Sequence, residues 1–234
     1  LPPLPEQTAI VRFLDWAERR IRRVMRARRR RIKLLEEYKQ ALIHQAVTGR
    51  IDVRTGQPYP AYKLSGVEWL AEVTHWELPR LGAVLRERGE MNVDGQVSHI
   101  LSVTKDRGVI PYAEKGNVGN KKSDDITRYK IVRRDDIVVN CMNVIIGSVG
   151  LSRYTGCLSP VYYVLTRRSE EDDPRYLNAY FQTKPFQLSL VRIGNGILAH
   201  RMRVPMELLK CEPFPLPPLP EQTAIVRFLD WADR

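Results

Sequence analysis

Apolar residues recur at Ile10, Leu14, Ala17, Ile21 and Val24, a 4-3-4-3 spacing that lays one stripe along a helix and reads as the seam of a coiled coil. In the same register the seam meets Arg28 and Arg31 and resumes at Leu35, Tyr38 and Leu42. A one-residue shift through Met25, Ile32 and Leu35 avoids those charges, so the spacing predicts a local stutter. Pro5 suits the first helical position, where a missing N–H costs nothing, and Glu6 complements the helix dipole. No breaker follows until Gly49, a residue type at home just past a helix end. The pattern predicts a helix over 5–48, roughly 66 Å long at 1.5 Å per residue. So long and basic a helix is not stable alone and requires a partner helix.

The texture then changes. Residues 1–50 form the helical segment, and 51–66, rich in Gly, Pro and turn formers, read as a linker. From Val67 onward short strands and turns are predicted, with strands at His99–Thr104, Ile126–Val132, Asp136–Asn140, Val144–Val149 and Val161–Thr166. One helix is predicted at Pro174–Val191, with Asp173 as its N-cap. Residues 67–215 thus form a compact domain of about 150 residues, an ordinary domain size. The expected fold class is α+β: one mixed domain, a long coiled-coil-forming helix, and the start of a second such helix over 216–234.

That second start is a repeat. Residues 1–17, LPPLPEQTAIVRFLDWA, reappear letter for letter at 216–232. One structural unit therefore occurs twice, and a repeated helix flanking one globular insert points to a pseudo-symmetric partner such as duplex DNA. The chain opens on Leu and the second copy breaks off at Arg234, so a fragment or half-length form is expected.

Charge sharpens the picture. Of the net charge of +11, residues 18–33 (ERRIRRVMRARRRRIK) carry +9 and leave +2 for the rest. Polyanion binding by counterion release is one reading of that segment; pairing with acidic residues of a protein partner is the other, and the sequence leaves both open. The three cysteines, Cys141, Cys157 and Cys211, are too few and too scattered for a disulfide framework or a zinc site, which suits a reducing, cytoplasmic setting. No apolar run is long enough to span a membrane.

Catalytic motifs fail on inspection. Gly116–Ser123 superficially resembles a phosphate-binding loop, but Lys121 stands where the second glycine is required. The pairs Asp124/Asp125, Asp135/Asp136 and Asp172/Asp173 are adjacent and point apart, so they serve turns and caps better than acid–base chemistry. His44, His75, His99 and His200 are solitary, without metal-ligand spacing. No catalytic residue, metal site or cofactor of the chain's own is expected.

Recognition chemistry remains. Residues 115–134 (KGNVGNKKSDDITRYKIVRR) join glycine-rich flexibility to Lys115, Lys121, Lys122 and Arg128, interleaved with Asn117, Asn120, Ser123 and Tyr129 as donors to phosphates or base edges. A solvated surface loop is the plainer alternative. Asn140 and Asn143 follow a predicted strand and either present amides to bases or brace a turn.

Together these phrases resemble the specificity (S) subunit of Type I restriction–modification enzymes. The resemblance rests on Pro215–Asp230 and Leu1–Asp15, on Leu34–Ile43 (LLEEYKQALI) ending in Val47, Thr48 and Gly49, and on Arg134–Asn140 (RDDIVVN), where Asp135 stands at a position usually Gly. Ile146–Gly150 (IGSVG) and Gly156–Tyr162 (GCLSPVY) complete it. The resemblance implies a target recognition domain that reads one half of a bipartite site on double-stranded DNA, with paired helices as a spacer. It implies methyltransferase (M) and restriction (R) subunits as partners, S-adenosylmethionine held by the former and ATP by the latter, and no catalysis by the S subunit. A second copy of the chain, joined through the helices, is a further expected partner. The alternative is a non-catalytic basic coiled-coil adaptor that binds RNA or an acidic protein. If the seam through Ile10, Leu14, Ala17, Ile21, Val24, Leu35 and Leu42 pairs helices, Leu14→Lys or Leu35→Lys lowers the assembly mass in sedimentation, and an unchanged mass rejects the seam.

Overall fold

The computed structural model describes residues 1–63, 66–67, 70–116, 122–123, 125–196 and 202–233. The chain divides into two compact units, Leu1–Leu42 and Ile43–Arg234. Helix α1 (Leu4–Val47) makes up nearly all of the first and ends in the second. Within the first unit the seam residues Ile10, Leu14, Ile21, Val24 and Leu35 are exposed, as a lone helix must leave them. Ala17, Ile21 and Val24 share a shallow concavity of about 350 Å³ with Trp16, Arg20 and Met25. Helix α1 stops where expected: Gly49 has φ +76°, and a Cβ there would lie 2.6 Å from the Val73 side chain.

The second unit is built on a four-stranded antiparallel sheet, ordered β3 (Leu85–Glu87), β10 (Tyr162–Arg167), β7 (Ile137–Asn140), β8 (Val149–Leu151). Side chains alternate across it. Ile137, Val139, Tyr163 and Leu165 face the larger core, while Val138, Tyr162 and Val164 face a second one. Both faces are therefore covered, which is why β7 and β10 read as continuous apolar runs. The larger core is closed by α3 (Pro174–Phe181), α4 (Lys184–Ser189) and α6 (Leu219–Ala232). The other receives the hairpin β4 (Leu101–Thr104) and β5 (Gly108–Pro111), and Val132 and Leu158 from the pair β6 (Lys130–Val132) and β9 (Gly156–Leu158). The short pair β1 (Tyr62–Lys63) and β2 (Glu72–Val73) and the turns α2 (Leu81–Val84) and α5 (Met206–Leu209) complete the unit.

Several elements differ from the sequence reading. The helix predicted over Pro174–Val191 begins as expected, with the Asp173 carboxylate accepting the Arg175 N–H at 2.8 Å. It breaks after Phe181 because Pro185 has no N–H to return to the Phe181 carbonyl; the Gln187 side-chain amide donates there instead, at 2.9 Å. The strand predicted at Val144–Val149 is a 3₁₀ turn over Val144–Ile146 followed by Gly147 at φ +92°, and extended pairing starts only at Val149. The strand predicted from Ile126 starts at Lys130, since Asp125 caps a turn through Thr127. Asp135, where the resemblance has Gly, sits at φ +68°, a left-handed conformation that Asp tolerates better than most residues. Residues expected to form a linker also join the globular unit, with Tyr59 buried in the larger core and Ile51 and Val53 packed against it.

One buried carboxylate ties distant segments together. Glu221, at the start of α6, is 6% exposed and receives the Tyr59 hydroxyl and the Trp76 indole N–H, each at 2.9 Å, on one oxygen. His75 Nε2 lies 2.7 Å and Arg54 3.3 Å from the other. Burial alone would raise the carboxyl pKa, but hydrogen bonds from Trp76, His75 and Tyr59 outweigh it and hold the pKa below the ordinary 4.5. A carboxylate with a depressed folded-state pKa contributes stability above its unfolded pKa and loses it as pH falls through the folded value. Glu221→Gln is expected to cost roughly 1.5–3 kcal/mol at pH 7 in urea unfolding. It should also make stability less steep in pH below about 4.5; acid limbs parallel to the wild type would contradict this assignment.

Candidate nucleic-acid interface

The β4–β5 hairpin leads directly into the basic segment. After Pro111 a 3₁₀ turn (Tyr112–Glu114) carries the chain to Lys115, whose ammonium lies 5.0 Å from the Tyr112 ring centroid. Two tyrosine hydroxyls then fix the returning chain: Tyr112 accepts the Lys122 N–H at 2.9 Å, and Tyr129 accepts the Ser123 N–H at 2.8 Å. Asp125 continues the anchoring through the backbone and hydroxyl of Thr127. Arg107, on the β4–β5 turn, donates to the Glu114 carbonyl at 3.2 Å and pairs with its carboxylate. The loop thus leaves and re-enters the fold at a defined base.

The predicted contacts separate on this frame. Lys122, Ser123 and Arg128 are exposed beside the base, and Lys115 is half-buried. Asn117, Asn120 and Lys121 lie outside the described residues. Tyr129 is corrected: at 5% exposure it packs with Ile131 and Cys157, so it anchors the loop and presents no ring or hydroxyl outward. Asn140 and Asn143 belong to the turn after β7, where the Asn140 side chain accepts the Met142 N–H at 3.1 Å and the Asn143 carbonyl accepts from Ile146 and Ser148. That is the turn-bracing role.

Not every cation of the segment is available either. Lys130 is held by Glu87 and the Tyr162 carbonyl, both at 2.9 Å, and Arg133 pairs with Glu90 at 2.8 Å. Arg88 grips the buried Asp136 with two hydrogen bonds of 2.8 and 2.9 Å, and Asp136 also accepts the Arg133 N–H. Among the described basic side chains near the loop, Lys122, Arg128 and Arg134 are exposed and outside these pairs.

A groove of about 780 Å³ lies between β5, β8, α3 and α6, open where Gly150 and Gly108 let two strands approach. A Cβ on Gly150 would sit 2.7 Å from the Gly108 Cα. Four arginines and four aspartates line it, with Arg175 paired to Asp230. The signs balance, so the groove offers no net positive charge to an anion. Among the described residues no group of three or more His, Cys, Asp or Glu side chains could hold a metal, and no helix is long and apolar enough to cross a membrane.

Sequence reasoning missed Tyr112 as the loop's second post. Its signal was slight: one aromatic directly after a strand-ending proline. It also read His75 as solitary, whereas the fold brings it to Glu221 from 146 residues away.

A long helix joined to a mixed, mainly antiparallel domain defines a class of helix-borne α+β modules, and solved structures share that architecture. An HsdS subunit from Thermoanaerobacter tengcongensis superposes with a TM-score of 0.51 at 22% identity, over 100% of this chain and 52% of that one. A structure described by complex assembly and conformational transition of the type I R-M system superposes with a TM-score of 0.60 at 20% identity, over 100% of this chain and 53% of that one. The chain has the HsdS fold and spans about half the length of these relatives. No family model and no curated protein matches it.

The two posts make a separable prediction. Tyr129→Phe is expected to cost about 1 kcal/mol in urea unfolding by removing one hydrogen bond, and Tyr129→Ala about 3–5 kcal/mol by emptying the core. Lys122→Ala should stay within about 0.5 kcal/mol. A Tyr129→Ala variant as stable as Lys122→Ala would contradict the anchoring role.

Proposed function

We propose that this chain is one half of a type I specificity subunit, whose globular unit reads one half of a bipartite DNA site. One observation carries the reading: the whole chain superposes on about half of an HsdS subunit. The anchored basic loop suits the task. A reader of base sequence needs a rigid base, a few exposed cations for phosphates, and near-neutral charge elsewhere so that non-specific binding stays weak. Lys122 and Arg128 are the phosphate contacts of this reading, with Asn117, Asn120 and Lys121 between Lys122 and Lys115, which stands at the loop's start.

Methyltransferase subunits dock along α1 through its arginine-rich segment, while the apolar seam pairs helices as the spacer. The chain itself is non-catalytic: S-adenosylmethionine resides on the methyltransferase subunits and ATP on the restriction subunit of the full assembly.

Selection from a random duplex library, with methyltransferase subunits present, should enrich one short half-site. Sequence-independent retention with no enrichment would replace this reading with the basic-helix adaptor. Lys122→Ala and Arg128→Ala are each expected to weaken binding evenly across sequences and to reduce the slope of log K against log salt by about one. Unchanged slopes would remove them from the interface.

A further inference from the structure

Beside the basic loop lies a second loop of opposite character. Residues 93–98 (VDGQVS) carry no Lys or Arg and one acid, yet they lie against the turn that brings the basic loop back into the fold. Gly95 is the point of contact: it stands at φ +63°, and a Cβ there would lie 3.8 Å from the Thr127 side chain. Val93, Asp94, Gln96 and Ser98 are exposed, Val93 at 71%.

The exposed tip has a buried brace. Asn92 is 4% exposed and commits its whole amide to the frame: Oδ1 accepts the Val97 N–H at 3.1 Å, and Nδ2 donates to the carbonyls of Val97 at 3.0 Å and Ile126 at 3.3 Å. Its backbone donates to the Tyr129 carbonyl at 2.8 Å and accepts the Gly95 N–H at 2.9 Å. At the far end the Cys157 thiol donates to the Val97 carbonyl at 3.1 Å, and the Cys157 N–H to that of His99 at 2.9 Å. Val97 packs on Tyr129, Ile131 and Cys157, the cluster from which Tyr129 anchors the basic loop. The two loops share one rigid base, so a duplex held by Lys122 and Arg128 would meet residues 93–98 at a fixed offset.

Phosphate contacts set position and carry no sequence; base identity is read at the groove edges by amide, carboxylate and apolar groups. A carboxylate repels phosphate, so Asp94 suits the base edges, where a cytosine amino group answers it, and not the backbone. We propose that residues 93–98 are the base-reading element of this chain, with the Gln96 amide bidentate to adenine and the Val93 side chain packed on a thymine methyl. The inference rests on the DNA-reading proposal and deepens it: Lys122 and Arg128 hold the backbone, and this cation-free loop selects the sequence.

The test uses the whole chain with methyltransferase subunits and a random duplex library, first to define the half-site the wild type selects. Gln96→Ala is expected to lower discrimination at one A·T pair of that half-site by about tenfold or more, while leaving the slope of log K against log salt unchanged. Lys122→Ala should do the reverse, lowering the slope and keeping the preferences. Replacing the contacted thymine by uracil, which lacks the methyl, should weaken the wild type and leave Val93→Ala indifferent. Both loop positions are exposed, so the variants are expected to keep the wild-type circular dichroism spectrum. If the wild type selects a half-site and Gln96→Ala and Val93→Ala select it equally well, the assignment to this loop fails and the DNA-reading proposal stands. An even loss over all sequences with a reduced salt slope also overturns it, since that is the signature of a backbone contact. A wild type that selects no half-site overturns both.

Discussion

A carboxylate taken out of water is costly unless every lone pair it keeps is answered, and Glu221 is answered by Tyr59, His75, Trp76 and Arg54. Those partners come from the segment after α1 and from the turn after β2, so one side chain joins stretches more than 140 residues apart in sequence. Around it Tyr59 stacks edge-on against Trp76, with ring centroids 5.5 Å apart, and Tyr176 donates its hydroxyl to the Pro215 carbonyl at 2.7 Å. The end of the chain is thereby bound into the same core as the end of the first helix, through Ala46, Val47, Ile225 and Val226. Without that anchor, α6 would be a short amphipathic helix with little to hold it.

The sheet and its loop depend on a second buried carboxylate. Asp136 opens β7 and is held by Arg88 from the strand-side segment after β3. This grip fixes the place where the chain leaves the β6 region and enters the central sheet. The basic loop is therefore hung between two rigid supports, a hairpin on one side and β6 on the other. Its cations nearest the sheet, Lys130 and Arg133, are consumed in holding that frame. Lys122 and Arg128, farther out, are exposed.

Much of this was legible in the residues. The long helix, its end at Gly49, the Asp173 cap and the runs at β7 and β10 follow from periodicity and local chemistry, which need no knowledge of the fold. The misses have physical reasons. Pro185 was hidden inside an apolar rhythm that continued across the break, and the amide that replaces its N–H comes from Gln187, a choice no periodicity records. The run from Val144 is as apolar as a strand, yet Gly147 turns it back before pairing can begin. Tyr129 reads as a polar aromatic in a basic loop, and only the β6–β9 packing turns it inward. Clamps such as Glu221–His75 join residues too distant for any local pattern to connect. The basic loop was thus legible as a place, while the anchoring of its base was not.

The duplicated helix start also makes the chain its own reference. Residues 4–17 and 219–232 have the same intrinsic helix propensity, the same proline lead-in and the same first-turn acid, so the energetics of starting the helix match between them. A difference in amide exchange between the two strings reports tertiary burial together with helix length, since α1 continues to Val47 and α6 ends at Ala232.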